Sequence, residues 1–177
     1  AEQLTGAKGQ AAIALMNVYN SDFDWPAGQK AVALRIIQVF PKTTPNVNQP
    51  PIGPSQSLAR GVLGTVPVES DGSAYFKAPV GVPVYFQALD ANGMAIQSMR
   101  SATYVHAGET LTCQGCHEPK NQPKPNFGSP PLELRRAPSD IVADVEGSWP
   151  LSFPRLVQPV LDSKCVACHQ KVKNCPV

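Results

Sequence analysis

The sequence has few charged residues and no long apolar run. Charged side chains make up 16% of its 177 residues and the formal net charge is +2, so it lacks the basic surface that nucleic acid would need. No apolar stretch approaches the ~18 residues of a membrane-spanning helix. We therefore expect one globular domain or two small ones, with no transmembrane segment and no nucleic-acid partner.

The composition also disfavours a helical bundle. The 19 prolines are about twice the usual share and favour short strands joined by ordered loops. Apolar and alternating runs predict strands at 10–19, 31–40, 61–69, 73–77, 82–89, 94–98 and 102–106, with proline-rich loops at 41–57 and 119–131. The predicted fold is mainly β. An antiparallel β-sandwich of immunoglobulin or transthyretin-like type covers 1–107, and a segment of short helices and loops covers 108–177.

Cysteine and histidine are scarce, and nearly all of them lie in one repeated motif. Cys113-Gln114-Gly115-Cys116-His117 and Cys165-Val166-Ala167-Cys168-His169 use all but one of the five cysteines and all but one of the three histidines. Cys-x-x-Cys-His is typical of c-type haem attachment, in which two thiols bond the haem vinyl groups and the histidine binds the iron. We predict two covalently attached haem c groups, with His117 and His169 as proximal iron ligands.

Other uses of these cysteines explain the pattern less well. Zinc ribbons usually separate their Cys-x-x-Cys pairs by roughly 15–20 residues, and Cys116 and Cys165 are much farther apart. A thioredoxin-like dithiol requires a βαβ context, which the strand pattern does not provide. Two local disulfides are compatible with an oxidising compartment, but they leave both following histidines unexplained.

Each haem iron also has a second axial position, which low-spin electron carriers fill with histidine or methionine. His106 is the one histidine outside the motifs, and we take it as a candidate distal ligand of its own haem, of the second haem or of a neighbouring subunit's haem. Its alternative is a surface position at a strand end. Met99 is a weaker candidate, and Met16 and Met94 are further ones, because methionine more often fills a core. A vacant position would favour ligand or peroxide chemistry.

The residues before the second motif have a helical pattern. Their apolar positions fall on one face of a helix and comprise Phe153, Leu156, Val157, Val160 and Leu161. We expect this face to cover the second porphyrin, with a kink or restart of the helix at Pro159.

Four further residues have two interpretations each. Arg100, Arg135 and Arg136 are either partners of haem propionates or ordinary solvated arginines. Cys175, the odd cysteine, is either an intermolecular disulfide or thiol site or an idle tail residue.

Two stretches resemble a known family in both motif and order. Residues 64–68, 83–90, 99–101, 108–109 and 113–118 resemble the middle domain of the hydrazine synthase alpha subunit and its relatives, and residues 134–139, 154–162 and 165–169 resemble the cytochrome segment that follows it. The resemblance covers roughly 60–170 and implies a β-sandwich with one haem, followed by a second haem domain. The family's active-site haem has a tyrosine where this sequence has Asn121, and the propeller portion is missing, which disfavours hydrazine chemistry.

These observations predict an exported dihaem c-type cytochrome that transfers single electrons to redox partner proteins or to copies of itself. Covalent haem attachment implies a periplasmic, cell-surface or extracellular location, and the start at Ala1 fits a mature product. The shortage of histidine ligands and the end of the sequence soon after His169 suggest an axial ligand supplied between subunits. A head-to-tail contact of that kind builds a homopolymer, an extracellular filament of stacked haems. The alternatives are a haem enzyme, either a dihaem peroxidase or a relic of hydrazine synthase, and a structural module in which the haems are ancillary.

Overall fold

A computed structural model describes residues 9–40, 59–117, 121, 128–145 and 153–169. The predicted loop 41–57, most of the predicted loop 119–131, and Cys175 lie outside the described residues. In the described ranges, no helix has both the length and the apolar character needed to span a bilayer.

Within the described residues, seven strands form two sheets, which confirms the mainly β prediction. The strands are β1 (Ala12–Leu15), β2 (Ala33–Val39), β3 (Arg60–Pro67), β4 (Ala74–Lys77), β5 (Val84–Leu89), β6 (Ala95–Ser98) and β7 (Thr110–Cys113). One sheet has the order β4-β1-β7 and the other has the order β3-β2-β5-β6. Neighbouring strands are antiparallel except for β1 and β7, which pair in parallel.

Apolar side chains of β1, β2 and β4 fill the core of the sandwich. Ile13 on β1, Leu34 and Ile36 on β2, and Phe76 on β4 are almost completely buried. The Phe76 ring meets the Phe86 ring of the other sheet edge-on, with 5.6 Å between centroids. Each such side chain contributes about 1.5–3 kcal/mol through burial, so the two sheets are held together mainly by this apolar layer.

A later segment connects the edges of the two sheets. It begins with a 3₁₀ helix at Leu132–Arg135 and then pairs Ser139 with Phe76 of β4 and Val142 with Thr65 of β3. A Cβ at Gly64 would lie 2.2 Å from the carbonyl oxygen of Val142, so only glycine permits this approach. Both β7 and this later segment follow residue 107, and both pair with strands of the sandwich. The predicted domain boundary between residues 107 and 108 stays a prediction.

The helical pattern before the second motif corresponds to a helical segment. A π-helical stretch at Phe153–Val157 leads into α1 (Gln158–Leu161), and a second π-helical stretch at Asp162–Val166 leads into α2 (Ala167–His169). Pro159 stands in the first turn of α1, where its missing N–H costs no helical hydrogen bond. Phe153 and Val160 remain 52% and 55% exposed, so the apolar face is open to solvent.

Candidate functional site

The first Cys-x-x-Cys-His motif lies at one end of the sandwich. Cys113 is the last residue of β7, the chain bends at 115–116, and His117 forms a bridge with Ser21. Both cysteines are half-buried and pack against the core. They line an apolar cavity of about 40 Å³ together with Leu15, Leu34, Phe86 and Met99.

An early segment, Asn20 to Asp22, holds the motif in place. The Cys116 N–H donates to the Asn20 carbonyl at 3.1 Å, and the Asp22 N–H donates to the His117 carbonyl at 3.1 Å. The fit is close, since a Cβ at Gly115 would lie 1.8 Å from the Asn20 oxygen. The second variable position of this motif therefore requires glycine.

The imidazole of His117 is oriented by two neighbours. Its Nδ1 contacts the Asp22 Oδ1, and the Phe23 ring packs against it with 4.3 Å between ring centroids. The His117 side chain is 43% exposed. A metal-bound histidine usually donates its other ring N–H to a carboxylate or carbonyl, which fixes the tautomer and ring orientation. With Nδ1 directed at Asp22, Nε2 is the nitrogen that remains for iron.

Arg100 is the predicted propionate partner that lies beside this motif. Its guanidinium stands over the Phe23 ring at 4.6 Å from the centroid, a cation–π contact on the ring that packs against His117. Arg135 instead donates to the Pro130 carbonyl at 3.4 Å, and Arg136 pairs with the Glu69 carboxylate at 2.8 Å. These contacts place Arg100 at the first motif and engage the other two arginines elsewhere.

The thiol of Cys116 is held in its neutral form. Burial, and to a lesser extent the nearby Cys113, raises the pKa of the Cys116 thiol to about 11. The four described cysteines are present as thiols rather than disulfides. Because the thiolate is the reactive form, Cys116 is a weak nucleophile toward oxidants at neutral pH.

The second motif has a different environment. Cys165 closes the π-helical stretch, and Cys168 and His169 lie in α2. All three side chains are exposed. On a helix, positions i, i+3 and i+4 share one face, so the two thiols and the imidazole project from the same side.

The two candidate distal ligands lie at different distances from the first motif. His106 is exposed in the turn before β7 and packs against the Tyr104 ring at 5.2 Å. At ~3.3 Å per residue, β7 alone separates this turn from Cys113 by ~10 Å. Met99 lines the cavity beside Cys113 and Cys116. The structure therefore brings Met99, and not His106, to the first motif.

Sequence reasoning missed the residues that orient His117. Asp22 and Phe23 lie between the predicted strands 10–19 and 31–40, and the contact of Asp22 with His117 spans 95 positions in the sequence. The cluster of acidic and aromatic residues at 22–25 was the available signal. In the part of the chain that the structure describes, no three His, Cys, Asp or Glu side chains converge on one metal position.

Comparisons with known proteins agree with this fold. A family model described as hydrazine synthase alpha subunit middle domain matches residues 28–118, just over half of the chain. Hydrazine synthase subunit alpha of Kuenenia stuttgartiensis is 40% identical over 58 residues, which make up 33% of this chain and 7% of that protein.

A solved structure of Kuenenia stuttgartiensis hydrazine synthase superposes with a TM-score of 0.67 at 20% identity, covering 95% of this chain and 30% of that chain. The resemblance predicted from the sequence is confirmed, and the fold is shared. The chain spans less than a third of either relative.

Proposed function

Because this chain belongs to the family of the hydrazine synthase alpha subunit middle domain, we propose that it is a haem c redox protein. Its first haem is held by Cys113, Cys116 and His117. The observation that carries this proposal is the contact of Asp22 with the Nδ1 of His117. A carboxylate on the outer nitrogen of an imidazole is the usual support of a metal-binding histidine.

The donor set of the first motif suits a haem better than any other group. Two thiols and an oriented imidazole match the two thioethers and the proximal ligand of haem c, which supplies an iron that accepts and releases one electron. The cavity of about 40 Å³ is far smaller than the roughly 300–1,000 Å³ of ligand pockets, so it takes no more than a porphyrin edge. Phe23 offers a ring face next to His117, and Arg100 offers a bidentate partner for a propionate.

A second haem is proposed on the helical segment. Cys165, Cys168 and His169 supply the same donor set from one side of the helix. The exposed apolar side chains Phe153 and Val160 precede them on that segment. Apolar surface left open beside an attachment motif is suited to cover a porphyrin, which excludes water from the iron and tunes its potential.

The primary function that we propose is single-electron transfer between protein partners. Met99 beside the two thiols is a candidate distal ligand of the first haem. A methionine or histidine in that position gives a low-spin iron with no open site, as electron carriers require. The curated relative is named as a subunit, which supports protein partners for this chain as well.

A second candidate function is haem catalysis, and family membership favours it. The family is named for a synthase, an enzyme, although the match is to its middle domain. His106 precedes β7, at the opposite end of that strand from Cys113, which disfavours it as a second ligand of the first iron. If Met99 does not bind it, the iron keeps an open position for substrate.

An electron paramagnetic resonance spectrum of the purified protein separates these two functions. Two low-spin signals, one of which becomes high-spin in Met99→Ala, support electron transfer. A resting high-spin signal that Met99→Ala leaves unchanged supports the enzyme. Met94→Ala is the matched control, because Met94 is 67% exposed and does not line the cavity.

The proposal also includes export of the protein and its polymerisation. Export to the periplasm, cell surface or medium is supported by the attachment motifs, since haem c is attached outside the bacterial inner membrane.

Polymerisation is supported by the position of His106, exposed at the opposite end of β7 from the first motif. If His106 binds the haem iron of the next molecule, the contact is head-to-tail, and repetition of that contact builds a filament. Loss of filaments in His106→Ala by electron microscopy, with both haems retained, is the expected result.

Intact mass of the purified protein tests the central proposal. We expect the mass of the polypeptide plus two haems. The double substitution Cys113→Ala/Cys116→Ala removes one haem, and Cys165→Ala/Cys168→Ala removes the other. A mass equal to that of the bare polypeptide would refute the haem c assignment.

A further inference from the structure

Glu133 is a buried carboxyl group with no role in the proposed haem sites. It lies in the 3₁₀ helix Leu132–Arg135 and its side chain is 0% exposed. Neither of its carboxyl oxygens accepts a hydrogen bond from any described residue. A buried charge without partners is strongly disfavoured, so this group requires an explanation.

The neighbours of Glu133 form a short polar chain that leads to solvent. Ser73 is completely buried, and its hydroxyl donates to the Oδ1 of the exposed Asp71. The Glu133 N–H donates to the Ser73 Oγ at 3.4 Å, and Asp71 Oδ2 accepts the Leu132 N–H at 2.9 Å. A serine has one hydroxyl hydrogen, which here points to Asp71. While this hydrogen points to Asp71, Ser73 offers Glu133 an acceptor, which favours the protonated acid, whereas a hydroxyl turned toward Glu133 favours the carboxylate.

The charges around Glu133 act in both directions. Burial raises the pKa of Glu133, and the Asp71 carboxylate in the turn before β4 raises it further, while Ser73 and Arg136 lower it. The Arg136 guanidinium is itself engaged, since it pairs with Glu69 at 2.8 Å. Glu133 is thus a titratable group whose charge state is balanced between opposing neighbours.

The Ser73 end of this polar chain lies two strands away from the first Cys-x-x-Cys-His motif. Ala74, which follows Ser73, pairs with Leu15 of β1, and Leu15 pairs with Cys113 of β7. Because neighbouring strands are about 4.8 Å apart, the backbone at Ala74 is ~10 Å from the backbone at Cys113. At that distance inside a protein, a unit charge still changes the protonation of a buried acid.

We propose that Glu133 is a proton-binding site linked to the redox state of the first motif, an inference that depends on the proposed haem at Cys113 and Cys116. When one electron arrives from a redox partner protein, Glu133 takes up one proton from water by way of Asp71 and Ser73. When the electron leaves, the carboxyl group releases the proton by the same route. By linkage, the reduction potential of that haem falls as the pH rises through the titration of Glu133.

The test uses the full chain with Cys165→Ala/Cys168→Ala, so that the measured potential belongs to the first haem. Its potential is titrated against pH with and without Glu133→Gln. Glutamine keeps an N–H that can donate to Ser73 but cannot titrate. We expect the fall in potential with pH to be largely lost in Glu133→Gln and retained in Asp140→Asn, an exposed carboxyl on the same segment that pairs with Lys77.

Infrared difference spectra between the reduced and oxidised protein give an independent readout. We expect a protonated-carboxyl band upon reduction that is absent in Glu133→Gln. Superimposable potential–pH curves for the parent and Glu133→Gln, with haem attached, would overturn this inference and leave the proposed function intact. A shift caused by added calcium in the parent alone would overturn it in favour of a cation site. Absence of attached haem in the parent would overturn both.

Discussion

The two Cys-x-x-Cys-His motifs have the same spacing but opposite structural settings. The first ends a strand, bends at 115–116 and is held by the segment Asn20 to Asp22. The second lies on a helical segment with exposed side chains. The comparison shows that the pentapeptide supplies the same donor atoms in both settings, while tertiary contacts decide how firmly the histidine is held.

The largest expected effect comes from Gly115→Ala. Its Cβ would enter the space of the Asn20 oxygen, 1.8 Å away, so the bend and the docked segment must separate. We expect the free energy of unfolding to fall by at least about 1–3 kcal/mol, as it does when a core is overpacked. Intact mass should also show loss of the first haem and retention of the second.

The matched control lies at the equivalent position of the second motif. Ala167→Gly changes a helical residue and should cost about 1 kcal/mol of local helix stability without loss of either haem. If Gly115→Ala and Ala167→Gly caused equal losses of unfolding free energy and of haem, the two motifs would not differ in how firmly they are held.

The next effect concerns Asp22→Asn. Removing the carboxylate next to Nδ1 of His117 makes the ligand less basic and destabilises the oxidised iron, so the potential of the first haem rises. If the usual 10–100-fold effect of such partners appears in the redox equilibrium, the shift is about 60–120 mV. Potentiometric titration should show the second haem unchanged. Asp24→Asn is the control, and a similar shift from it would argue against a specific role for Asp22.

The next prediction concerns how the unfolding free energy depends on pH through Glu133, which lies outside both motifs. Glu133 has a raised pKa in the folded state, so its contribution to stability is present in acid, below the ordinary value of about 4.3, and is lost as the pH rises through the folded value. We expect Glu133→Gln to match the parent near pH 4 and to exceed its unfolding free energy at about pH 8. Denaturant unfolding followed by tryptophan fluorescence measures this. A constant difference at both pH values would contradict it.

The smallest effect is expected on the helical segment. Val160 is 55% exposed, so Val160→Ser should change the unfolding free energy by no more than about 0.5 kcal/mol. If this face covers the second haem, the more polar surface slightly lowers that haem's potential and leaves the first unchanged. A shift in the potential of the first haem instead would show that this apolar face does not cover the second haem.

Local patterns predicted part of this molecule well. The predicted strands 31–40 and 82–89 correspond to β2 and β5, and the helical spacing from Phe153 to Leu161 corresponds to the observed helical segment. These features depend on neighbouring residues, which a sequence displays directly.

The supports of the site could not be predicted in the same way. The contact of Asp22 with His117 spans 95 positions, and the burial of Glu133 depends on Ser73, 60 positions earlier. Asp22 had only the acidic and aromatic cluster at 22–25 as a local signal, and Glu133 had none. The two Cys-x-x-Cys-His motifs were recognisable because their spacing is contained within five residues.

The position of β1 has a consequence for how the chain reaches its native state. This short, fully buried strand lies between β4 and β7, and both of its partners come later in the sequence. During synthesis from the N-terminus, Ala12–Leu15 therefore emerges with both hydrogen-bonding edges unsatisfied until Cys113 has followed. Such long-range closure is slow, which makes the nascent sandwich dependent on protection from aggregation until the first motif is in place.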